Sequence, residues 1–402
     1  MNLNETTSGE RVHIGFFGRR NAGKSSLVNA VTGQALSVVS DVKGTTTDPV
    51  KKAMELLPIG PVMIIDTPGF DDEGELGQLR VEKTKEILAK TDVAVLVTDS
   101  AAEMGETEEV LLSVIREKNL PYILVHNKAD LLAEIPSPTE TEIWVSAKEK
   151  LYIHELKEKI GTLAKAKENT RRIVADLLTP GDIVILVTPI DASAPKGRII
   201  LPQQQTLRDI LDAGCAAMVC QDTELPGVLK ALAMPPRIVI TDSQAFGRVN
   251  KMVPESIPLT SFSILFARYK GNLVQQVKGA ARLSGLCEGD RIVISEGCTH
   301  HRQCGDIGSV KIPAWIENFS GVKPEYTFTS GGEFPSDLSA FRLVVHCGGC
   351  MLNEAEMTSR IRTAENAGVP VVNYGVAIAH MHGILRRSLE LFPEVLSLLD
   401  ES

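Results

Sequence analysis

Aromatic side chains and long apolar runs are scarce in this chain of 402 residues, and its 42 basic residues are outnumbered by 51 acidic ones. Aromatic residues make up 4% of the sequence, so the hydrophobic cores must be built from aliphatic side chains. The formal net charge of −9 argues against non-specific binding to nucleic acid or to anionic membranes, which needs positive charge. No apolar run reaches the roughly 18–20 residues that span a bilayer. Met1–Arg11 also lacks the basic and apolar regions of a signal peptide, so we expect a cytoplasmic protein.

Cysteine is also scarce, and it is confined to the second half of the chain. Seven cysteines are too few, and odd in number, for a disulfide scaffold, so we expect them to remain reduced thiols. They are Cys215, Cys220, Cys287, Cys298, Cys304, Cys347 and Cys350. This late group indicates either metal chemistry in the C-terminal part or ordinary small buried residues.

Short β-branched runs alternate with amphipathic stretches, which predicts an α/β fold with parallel sheets covered on both faces. In the first part of the chain the predicted strands are Val12–Phe17, Val62–Ile65, Val93–Thr98, Tyr122–Val125 and Ile143–Val145. The predicted helices there are Ser25–Val31, Gly77–Lys90, Glu106–Lys118 and Ile153–Ala166. The charged run 164–172 indicates a linker, so we place the first domain boundary near residue 170.

Two smaller α/β units are predicted after this linker. Their predicted strands are Ile183–Val187, Ala216–Val219, Arg237–Thr241 and Ser263–Phe266, then Arg291–Ser295, Leu343–Val345 and Pro370–Asn373. Their predicted helices are Gln203–Ala213, Pro226–Ala233 and Ser243–Val249, then Gly271–Leu283, Asn353–Ala367 and Ile378–Leu391. Residues 320–336, rich in glycine and proline, are predicted to form a loop. We therefore expect domains over residues 1–170, 171–270 and 271–402.

A phosphate-binding loop follows the first predicted strand. The segment Gly18-Arg19-Arg20-Asn21-Ala22-Gly23-Lys24-Ser25 has the GxxxxGKS pattern between a strand and a helix, the context that the motif requires. Backbone N–H groups of such a loop cradle phosphates at a helix N-terminus. We expect Lys24 to reach the β- and γ-phosphates and the Ser25 hydroxyl to bind Mg²⁺. The other expected nucleotide-binding residues of this segment are Gly18, Asn21, Ala22, Gly23 and Ser26.

Three further segments at strand ends point to a guanine nucleotide. In Asp66-Thr67-Pro68-Gly69, the carboxylate of Asp66 can hold Mg²⁺ through water, and the Gly69 N–H can meet the γ-phosphate. In Asn127-Lys128-Ala129-Asp130, the Asp130 carboxylate suits the paired N–H donors of guanine, which adenine lacks. In Ser146-Ala147-Lys148, the Ala147 N–H could meet the guanine O6 atom. The four motifs in this order resemble the GTPase family, which implies that the first domain is a P-loop GTPase domain. The alternation of strands and helices predicts the two smaller α/β domains after it.

The segment Gly44-Thr45-Thr46-Thr47-Asp48 resembles the Gly-Thr-Thr-Arg-Asp switch of the TrmE/Era-like GTPases, with Thr47 in place of arginine. The resemblance implies that Thr46 senses Mg²⁺ and the γ-phosphate, so the catalytic set is Lys24, Thr46, Asp66 and Gly69. Potassium-using members of that superfamily carry asparagine at the position of Asn21, where K⁺ neutralises charge that builds up in the transition state. Phe70 stands where Ras-like proteins have a water-orienting glutamine, so slow, potassium-stimulated hydrolysis is expected.

Cysteines and histidines follow two predicted strands in the last third of the chain. Glu296-Gly297-Cys298-Thr299-His300-His301 follows one strand, and His346-Cys347-Gly348-Gly349-Cys350 follows the other. α/β sheets place ligand sites at the C-terminal ends of parallel strands. Thiolates select iron–sulfur clusters, zinc or copper(I). These residues leave two alternatives, a closed Cys₃His zinc site and a 4Fe–4S cluster with one non-cysteine or open position. Cys304, His380 and His382 are further candidates.

This combination resembles the FeFe-hydrogenase maturation GTPases, the HydF family, over essentially the whole chain. The resemblance implies a first domain that binds GTP/GDP, a middle domain that dimerises and a third domain that binds a 4Fe–4S cluster. It implies Cys298, Cys347 and Cys350 as cluster ligands, and it matches His300 and His346 to the motif histidines, as ligands or as supports of ligands. It also implies a scaffold or carrier for a transient two-iron precursor, with radical-SAM maturases as suppliers and FeFe-hydrogenase as recipient.

The middle unit carries no recognisable site, so we consider self-association as its role. An exposed sheet edge would pair with its copy across a two-fold axis to form a homodimer. The runs Ile183–Val187 and Arg237–Thr241 are apolar enough for such pairing, and a simple spacer domain is the alternative.

Two other functions stay open at this point. One is a potassium-dependent GTPase that acts in RNA modification or ribosome assembly and carries a structural zinc site. The other is a zinc-stabilised regulatory GTPase that binds only a protein partner. RNA binding needs a basic surface, and this chain is acidic, so we expect neither a nucleic-acid partner nor membrane association.

Overall fold

The computed structural model describes residues 8–34, 50–69, 84, 86–166, 172–189, 199–270, 273–297, 306–349 and 351–399. The chain separates into two compact units, one formed by Asn4–Asn169 and the other built on Thr170–Ser402. The fold is of the mixed α/β class with predominantly parallel sheets, as the sequence predicts. The two boundaries between the three predicted domains stay predictions.

A six-stranded sheet forms the centre of the first unit, in the order β2-β3-β1-β4-β5-β6. Its strands are β1 (Val12–Phe17), β2 (Val50–Leu56), β3 (Gly60–Asp66), β4 (Val93–Asp99), β5 (Tyr122–Asn127) and β6 (Glu142–Trp144). Its helices within the described residues include α1 (Lys24–Thr32), α2 (Glu106–Glu117) and α3 (Ile153–Ala166). All neighbouring strands are parallel except β2 and β3, which are antiparallel. The carboxyl ends of the parallel strands therefore meet at one edge, where α/β sheets bind ligands.

The first sheet is held by two aliphatic cores, one on each face. Ile14, Val95 and Val125 lie in one core with side chains of α1 and α3, and Phe17 and Leu96 lie in the other with side chains of α2. Because β4 is buried on both faces over nearly its whole length, its sequence is a continuous apolar run rather than an alternating one. These buried runs explain why the five predicted strands of this unit are confirmed.

Two four-stranded parallel sheets form the second unit, in the orders β10-β9-β7-β8 and β12-β11-β13-β14. The first contains β7 (Ile183–Val187), β8 (Ala216–Cys220), β9 (Ile238–Thr241) and β10 (Leu259–Ser261). The second contains β11 (Arg291–Glu296), β12 (Glu325–Ser330), β13 (Leu343–His346) and β14 (Val371–Asn373). Its α-helices are α4 (Leu201–Asp212), α5 (Leu225–Ala231), α6 (Phe246–Val249), α7 (Phe262–Lys270), α8 (Leu273–Ala281), α9 (Ile312–Ser320), α10 (Glu354–Asn366), α11 (Tyr374–Met381), α12 (Leu385–Ser388) and α13 (Pro393–Leu396) within the described ranges.

The two sheets of the second unit share one hydrophobic core. Val184 and Ile240 from the first of these sheets belong to the same buried cluster as Ile292 and Val345 from the other. Helix α7 contributes Phe262, Leu265 and Phe266 to this cluster. The middle and C-terminal sheets are therefore packed as a single body.

Several predictions for the second unit are wrong. The runs Ile183–Val187 and Arg237–Thr241, considered as exposed edges that pair between chains, fall on β7 and β9, the inner strands of their sheet. Residues 378–391, predicted as one helix, are divided between α11 and α12.

The segment Ser263–Phe266, predicted as a strand, belongs to helix α7, and the strand is Leu259–Ser261 just before it. A short apolar run fits a buried strand and a buried helix equally well, so periodicity did not separate them. The predicted loop 320–336 contains strand β12, which pairs with β11 at the sheet edge; each of its residues is half-buried or exposed, so it lacks a strong apolar pattern.

Candidate functional site

The phosphate loop connects β1 to α1 and is shaped by the close approach of the Asn127 side chain to Gly23. Gly23 adopts a left-handed conformation with φ 87°. A Cβ atom at Gly23 would lie 2.2 Å from Nδ2 of Asn127, so only glycine fits there. Asn21 is also left-handed, at φ 63°, and is exposed, whereas Ala22 is buried.

Lys24 is a buried lysine whose ammonium turns back to the loop. Its Nζ atom donates to the carbonyl oxygens of Gly18 and Arg19, each at 2.8 Å. This places a positive charge beside the backbone that precedes the helix N-terminus, where anions bind. Ser26 lies half-buried in the first turn of the same helix.

The side chains of Ser25 and Asp66 meet where α1 begins and β3 ends. The Ser25 hydroxyl donates to Oδ2 of Asp66 at 2.9 Å. Asp66 is buried, and its Oδ1 atom has no hydrogen-bond partner within the described residues. A buried carboxylate oxygen without a partner beside a hydroxyl matches the oxygen ligands that Mg²⁺ prefers. These residues therefore fit a magnesium ion.

The segment that follows β3 reaches the phosphate loop. A Cβ atom at Gly69 would lie 2.7 Å from the Cα atom of Arg20, so the two backbones are in contact. The Thr67 hydroxyl anchors this segment by donating to the Phe16 carbonyl at 2.7 Å. Thr46 and Phe70, also named from the sequence, lie outside the described residues.

Asn127 links the phosphate loop to the segment after β6. Its Nδ2 atom donates to the Ala22 carbonyl at 2.9 Å, and its Oδ1 atom accepts from the Ala147 N–H at 3.0 Å. The Ala147 N–H, predicted to face guanine, is thus held by Asn127. The buried Ser146 accepts from the Glu149 N–H at 3.1 Å and shapes this turn, whose Lys148 is exposed.

Lys128 and Asp130, the other residues predicted to recognise the base, lie directly after β5. Lys128 pairs with Asp99 at 2.6 Å across the carboxyl ends of β5 and β4. Burial raises the pKa of Asp99, but the hydrogen bond and charge of Lys128 outweigh it, so the pKa lies below its usual value. Asp130 is half-buried in the turn Ala129–Leu131, and its carboxylate has no protein partner in the described part of the chain. The carboxylate is therefore available to a ligand.

An ion pair that sequence reasoning missed fixes the outer side of the phosphate loop. Nε of Arg19 lies 2.9 Å from Oε2 of Glu108, and Nη2 of Arg19 donates to the Glu103 carbonyl at 2.9 Å. Glu108 is fully buried and also accepts from the Gly105 N–H at the start of α2. An acidic residue at this helix position is typical of a capping box, in which it accepts from a backbone N–H at the start of the helix. The local sequence therefore gives no indication that Glu108 also pairs with Arg19.

The second candidate site lies where the parallel strands β11 and β13 end side by side. Ser295 and His346 are paired in register, so the segments after both strands leave the same edge. The half-buried Cys347 is held by two backbone donors, the N–H of Gly297 at 3.0 Å from Sγ and the N–H of Gly349 at 3.4 Å. Two N–H donors aimed at one sulfur suit a thiolate, the form in which cysteine binds metals.

Four other residues named from the sequence for this site lie outside the described residues, namely Cys298, His300, Cys304 and Cys350. Within the described residues no group of three or more His, Cys, Asp or Glu side chains could hold a metal ion. Cys347 is thus the one predicted cysteine ligand for which the described residues give a position.

His346 is buried at the end of β13 with both ring nitrogens occupied. Nδ1 contacts the Cys347 carbonyl at 2.7 Å, and Nε2 contacts Nη1 of Arg360 at 3.0 Å. Because arginine only donates, Nε2 accepts and Nδ1 carries the proton. Burial and the Arg360 charge lower the pKa of His346 to about 4, although its hydrogen bond to Cys347 raises it. Arg360 is itself paired with Glu356 at 2.8 Å.

Tyr374 and His380, both on helix α11, contact other groups. The Tyr374 hydroxyl donates to the buried Glu296 at 3.4 Å. Burial raises the pKa of Tyr374, and the charges of Glu296 and Cys347 raise it further. His380 contacts Ser284 at 3.1 Å and packs on Phe319. Burial lowers the pKa of His380, and no contact in the described chain joins it to Cys347.

Three features define a P-loop GTPase. They are the strand-loop-helix with its buried lysine, the pair Ser25–Asp66, and the bridge that Asn127 makes between the phosphate loop and Ala147. A model described as a 50S ribosome-binding GTPase matches residues 13–128, in agreement with this class. Residues 173–271 match the hydrogen maturase F dimerization domain, and residues 274–391 match the hydrogen maturase F tetramerization domain. These two matches together cover more than half of the chain, which belongs to the hydrogen maturase F family.

Curated relatives match a smaller part of the chain. The tRNA modification GTPase MnmE of Thiobacillus denitrificans is 35% identical over 140 residues, which is 35% of this chain and 31% of the relative. GTPase Der of Wolinella succinogenes is 34% identical over 184 residues, 42% of this chain and 38% of the relative. The chain thus spans about a third of the length of these relatives.

Solved structures resemble the chain weakly. A probable GTP-binding protein engB has a TM-score of 0.32 at 24% identity, over 39% of this chain and 100% of that chain. Era of Aquifex aeolicus, bound to GDP and AlF₄⁻, has a TM-score of 0.33 at 16% identity, over 79% of this chain and 93% of that chain.

Among the described helices, each is too short or too polar to cross a membrane.

Proposed function

We propose that this protein is a GTP-binding and GTP-hydrolysing scaffold that holds a 4Fe–4S cluster. On this scaffold a two-iron precursor is assembled and delivered to FeFe-hydrogenase, with radical-SAM maturases as the suppliers. The observation that carries the proposal is the junction of a GTPase domain with two hydrogen maturase F domains in one chain. The two N–H donors on Cys347 support the cluster part.

In the proposed nucleotide site, the phosphates bind at the N-terminus of α1 beside Lys24. Ser25, Asp66 and Thr46 hold Mg²⁺, and the unpartnered Oδ1 of Asp66 is one of its supports. The Gly69 N–H meets the γ-phosphate. Asp130, through its half-buried carboxylate, accepts the two N–H groups of guanine.

Hydrolysis in this proposal is slow and stimulated by K⁺. Asn21 is exposed and left-handed within the phosphate loop, so its amide can face an ion that shares the phosphate oxygens. When bound, K⁺ neutralises charge that builds up during phosphoryl transfer. The binding of nucleotide itself depends on Lys24 and Ser25 and needs no K⁺.

In the proposed cluster site, the thiolates of Cys298, Cys347 and Cys350 are the protein ligands, and one iron is left exchangeable. A carrier that loads and releases a precursor needs a replaceable ligand, whereas four thiolates favour storage or electron transfer. His346 supports the site by holding the Cys347 carbonyl, because both of its ring nitrogens already have protein partners. His300 remains a candidate for the fourth position.

A homodimer through the middle sheet completes the proposal. Among the described strands β8 lies at one edge of that sheet, and its Met218 and Val219 are 37% and 44% exposed. The opposite edge, β10, is buried throughout. Exposed apolar side chains on an unpaired edge are typical of strand pairing between chains, so β8 is the edge that pairs with its copy.

The test is anaerobic reconstitution of the full chain with iron and sulfide, followed by EPR of the reduced protein. We expect a 4Fe–4S signal that is lost in Cys347→Ser while GTP hydrolysis stays near the wild-type rate. Cys287→Ser, at an exposed cysteine outside the site, is the matched control and should keep the signal. A wild-type chain that binds zinc and gives no iron–sulfur signal would instead support the GTPase with a structural zinc site.

A further inference from the structure

Lys270 is a buried lysine at the C-terminal end of helix α7, 7% exposed. The helix follows the middle sheet, whereas the side chain reaches a loop of the C-terminal sheet. Burying an ammonium is unfavourable unless polar groups surround it. A lysine held in this position therefore has a specific set of partners.

Those partners belong to the loop that carries the proposed cluster ligands. Nζ of Lys270 donates to the carbonyl oxygens of Gly349 and Leu352, each at 3.2 Å. These two residues flank Cys350 in the sequence. The N–H of the same Gly349 donates to Sγ of Cys347. One ammonium thus holds two carbonyls of this loop, and one of them belongs to the residue that donates to the Cys347 thiol.

We propose that Lys270 is the positioning residue of the Cys347–Cys350 loop and supplies a fixed positive charge beside the cluster. The proposal rests on the proposed function, since it takes the loop to be a cluster site. It assigns the middle domain a part in the metal site, because the residue ends a helix that leaves the middle sheet.

Two consequences follow from the two roles of this ammonium. Without it, the carbonyls of Gly349 and Leu352 lose a donor, the loop loosens, and iron is released more easily. Groups that orient metal ligands in this way change metal affinity by about 10–100-fold when they are removed. A nearby positive charge also favours the reduced cluster, which carries one more negative charge, so it raises the reduction potential.

The experiment compares Lys270→Met, Lys270→Arg and Lys270→Gln in the full, reconstituted chain. Lys278→Met, at an exposed lysine on helix α8, is the matched control for loss of one positive charge. The measurements are the rate of iron release to a chelator and the midpoint potential from an EPR-monitored redox titration. GTP hydrolysis serves as the check that the first domain is intact.

We expect Lys270→Met to release iron about tenfold faster than wild type and to shift the potential to a more negative value. Lys270→Arg and Lys278→Met should stay close to wild type in both measurements. If Lys270→Met does not fold, Lys270→Gln replaces it, since it keeps an N–H donor and removes the charge, and its potential should still become more negative.

Two failures are distinguishable. If the wild-type chain takes up no cluster, the proposed function falls, and the role of Lys270 falls with it. If the wild-type chain loads a cluster and Lys270→Met and Lys270→Gln both match it in iron release and in potential, the role of Lys270 is overturned while the proposed function stands.

Discussion

Replacing Arg19 by methionine should destabilise the first unit, because the buried carboxylate of Glu108 loses its ion-pair partner. The carboxylate of Glu108 is fully buried and would keep one donor, the Gly105 N–H, because its Oε1 atom has no partner within the described residues. Methionine retains much of the aliphatic packing of arginine. The change therefore removes the ion pair together with the hydrogen bond from Arg19 to the exposed Glu103 carbonyl.

The size of the effect follows from this burial. Removing one partner of a buried ion pair typically costs about 3–5 kcal/mol, because the other charge stays buried without compensation. The side chain of Arg19 is 25% exposed and that of Glu108 is 0% exposed, so water screens the pair from one side only. We expect a loss at the lower end of the range, about 3 kcal/mol in the free energy of unfolding.

The assay is unfolding in guanidinium chloride, followed by the fluorescence of Trp144. The chain has two tryptophans, so a Trp315→Phe background makes the signal report the first unit. Lys118→Met, at an exposed residue just after α2, is the control and should change stability by less than about 0.5 kcal/mol.

A second change tests the cause. Adding Glu108→Gln to Arg19→Met removes the unpaired buried charge, so the double variant should regain part of the lost stability. The reasoning is refuted if Arg19→Met unfolds like Lys118→Met, or if the double variant is less stable than Arg19→Met by the full cost of Glu108→Gln alone.

Four further predictions concern other residues. Asp130→Asn should weaken GTP binding by about 2–4 kcal/mol and strengthen binding of xanthosine triphosphate, as measured by calorimetry; unchanged GTP affinity would contradict the assignment. Asn21→Ala should abolish the stimulation of hydrolysis by K⁺ over Na⁺ at constant ionic strength while leaving nucleotide binding intact; equal wild-type rates in both salts would refute a potassium site. Burial lowers the pKa of His126 below its ordinary 6.5, so the unfolded state takes up the proton first, and the first unit should lose stability as the pH falls below 6.5. His126→Gln should flatten that pH dependence, which Trp144, stacked on His126 at 4.5 Å, can report by fluorescence. Val219→Lys on β8 should shift the chain from dimer toward monomer in sedimentation, and an unchanged mass would exclude this edge.

Much of the fold was predictable because most strands are buried on both faces. Strand β4 is apolar along nearly its whole length, and such runs identify central parallel strands without further information. Strand β2 was missed because Val50–Leu56 is an exposed edge strand with two adjacent lysines, Lys51 and Lys52. Its position depends on the antiparallel pairing with β3, which local sequence does not encode.

The nucleotide site was predictable for a different reason, since each of its motifs is contiguous in sequence and follows a strand. Contacts between distant residues left no such signal. Arg19 and Glu108 are 89 positions apart, and Lys270 reaches a carbonyl 79 residues away. Each of these residues is ordinary in its own segment, so only the packed structure reveals the pairing.

The single core beneath the middle and C-terminal sheets has a thermodynamic consequence. Because Val184 and Ile240 pack in the same cluster as Ile292 and Val345, the two sheets should melt in one cooperative transition. Anything that binds only the folded form then stabilises both sheets by mass action. Under the proposed function, a filled cargo site at the end of β13 would therefore also raise the midpoint of unfolding of the middle sheet.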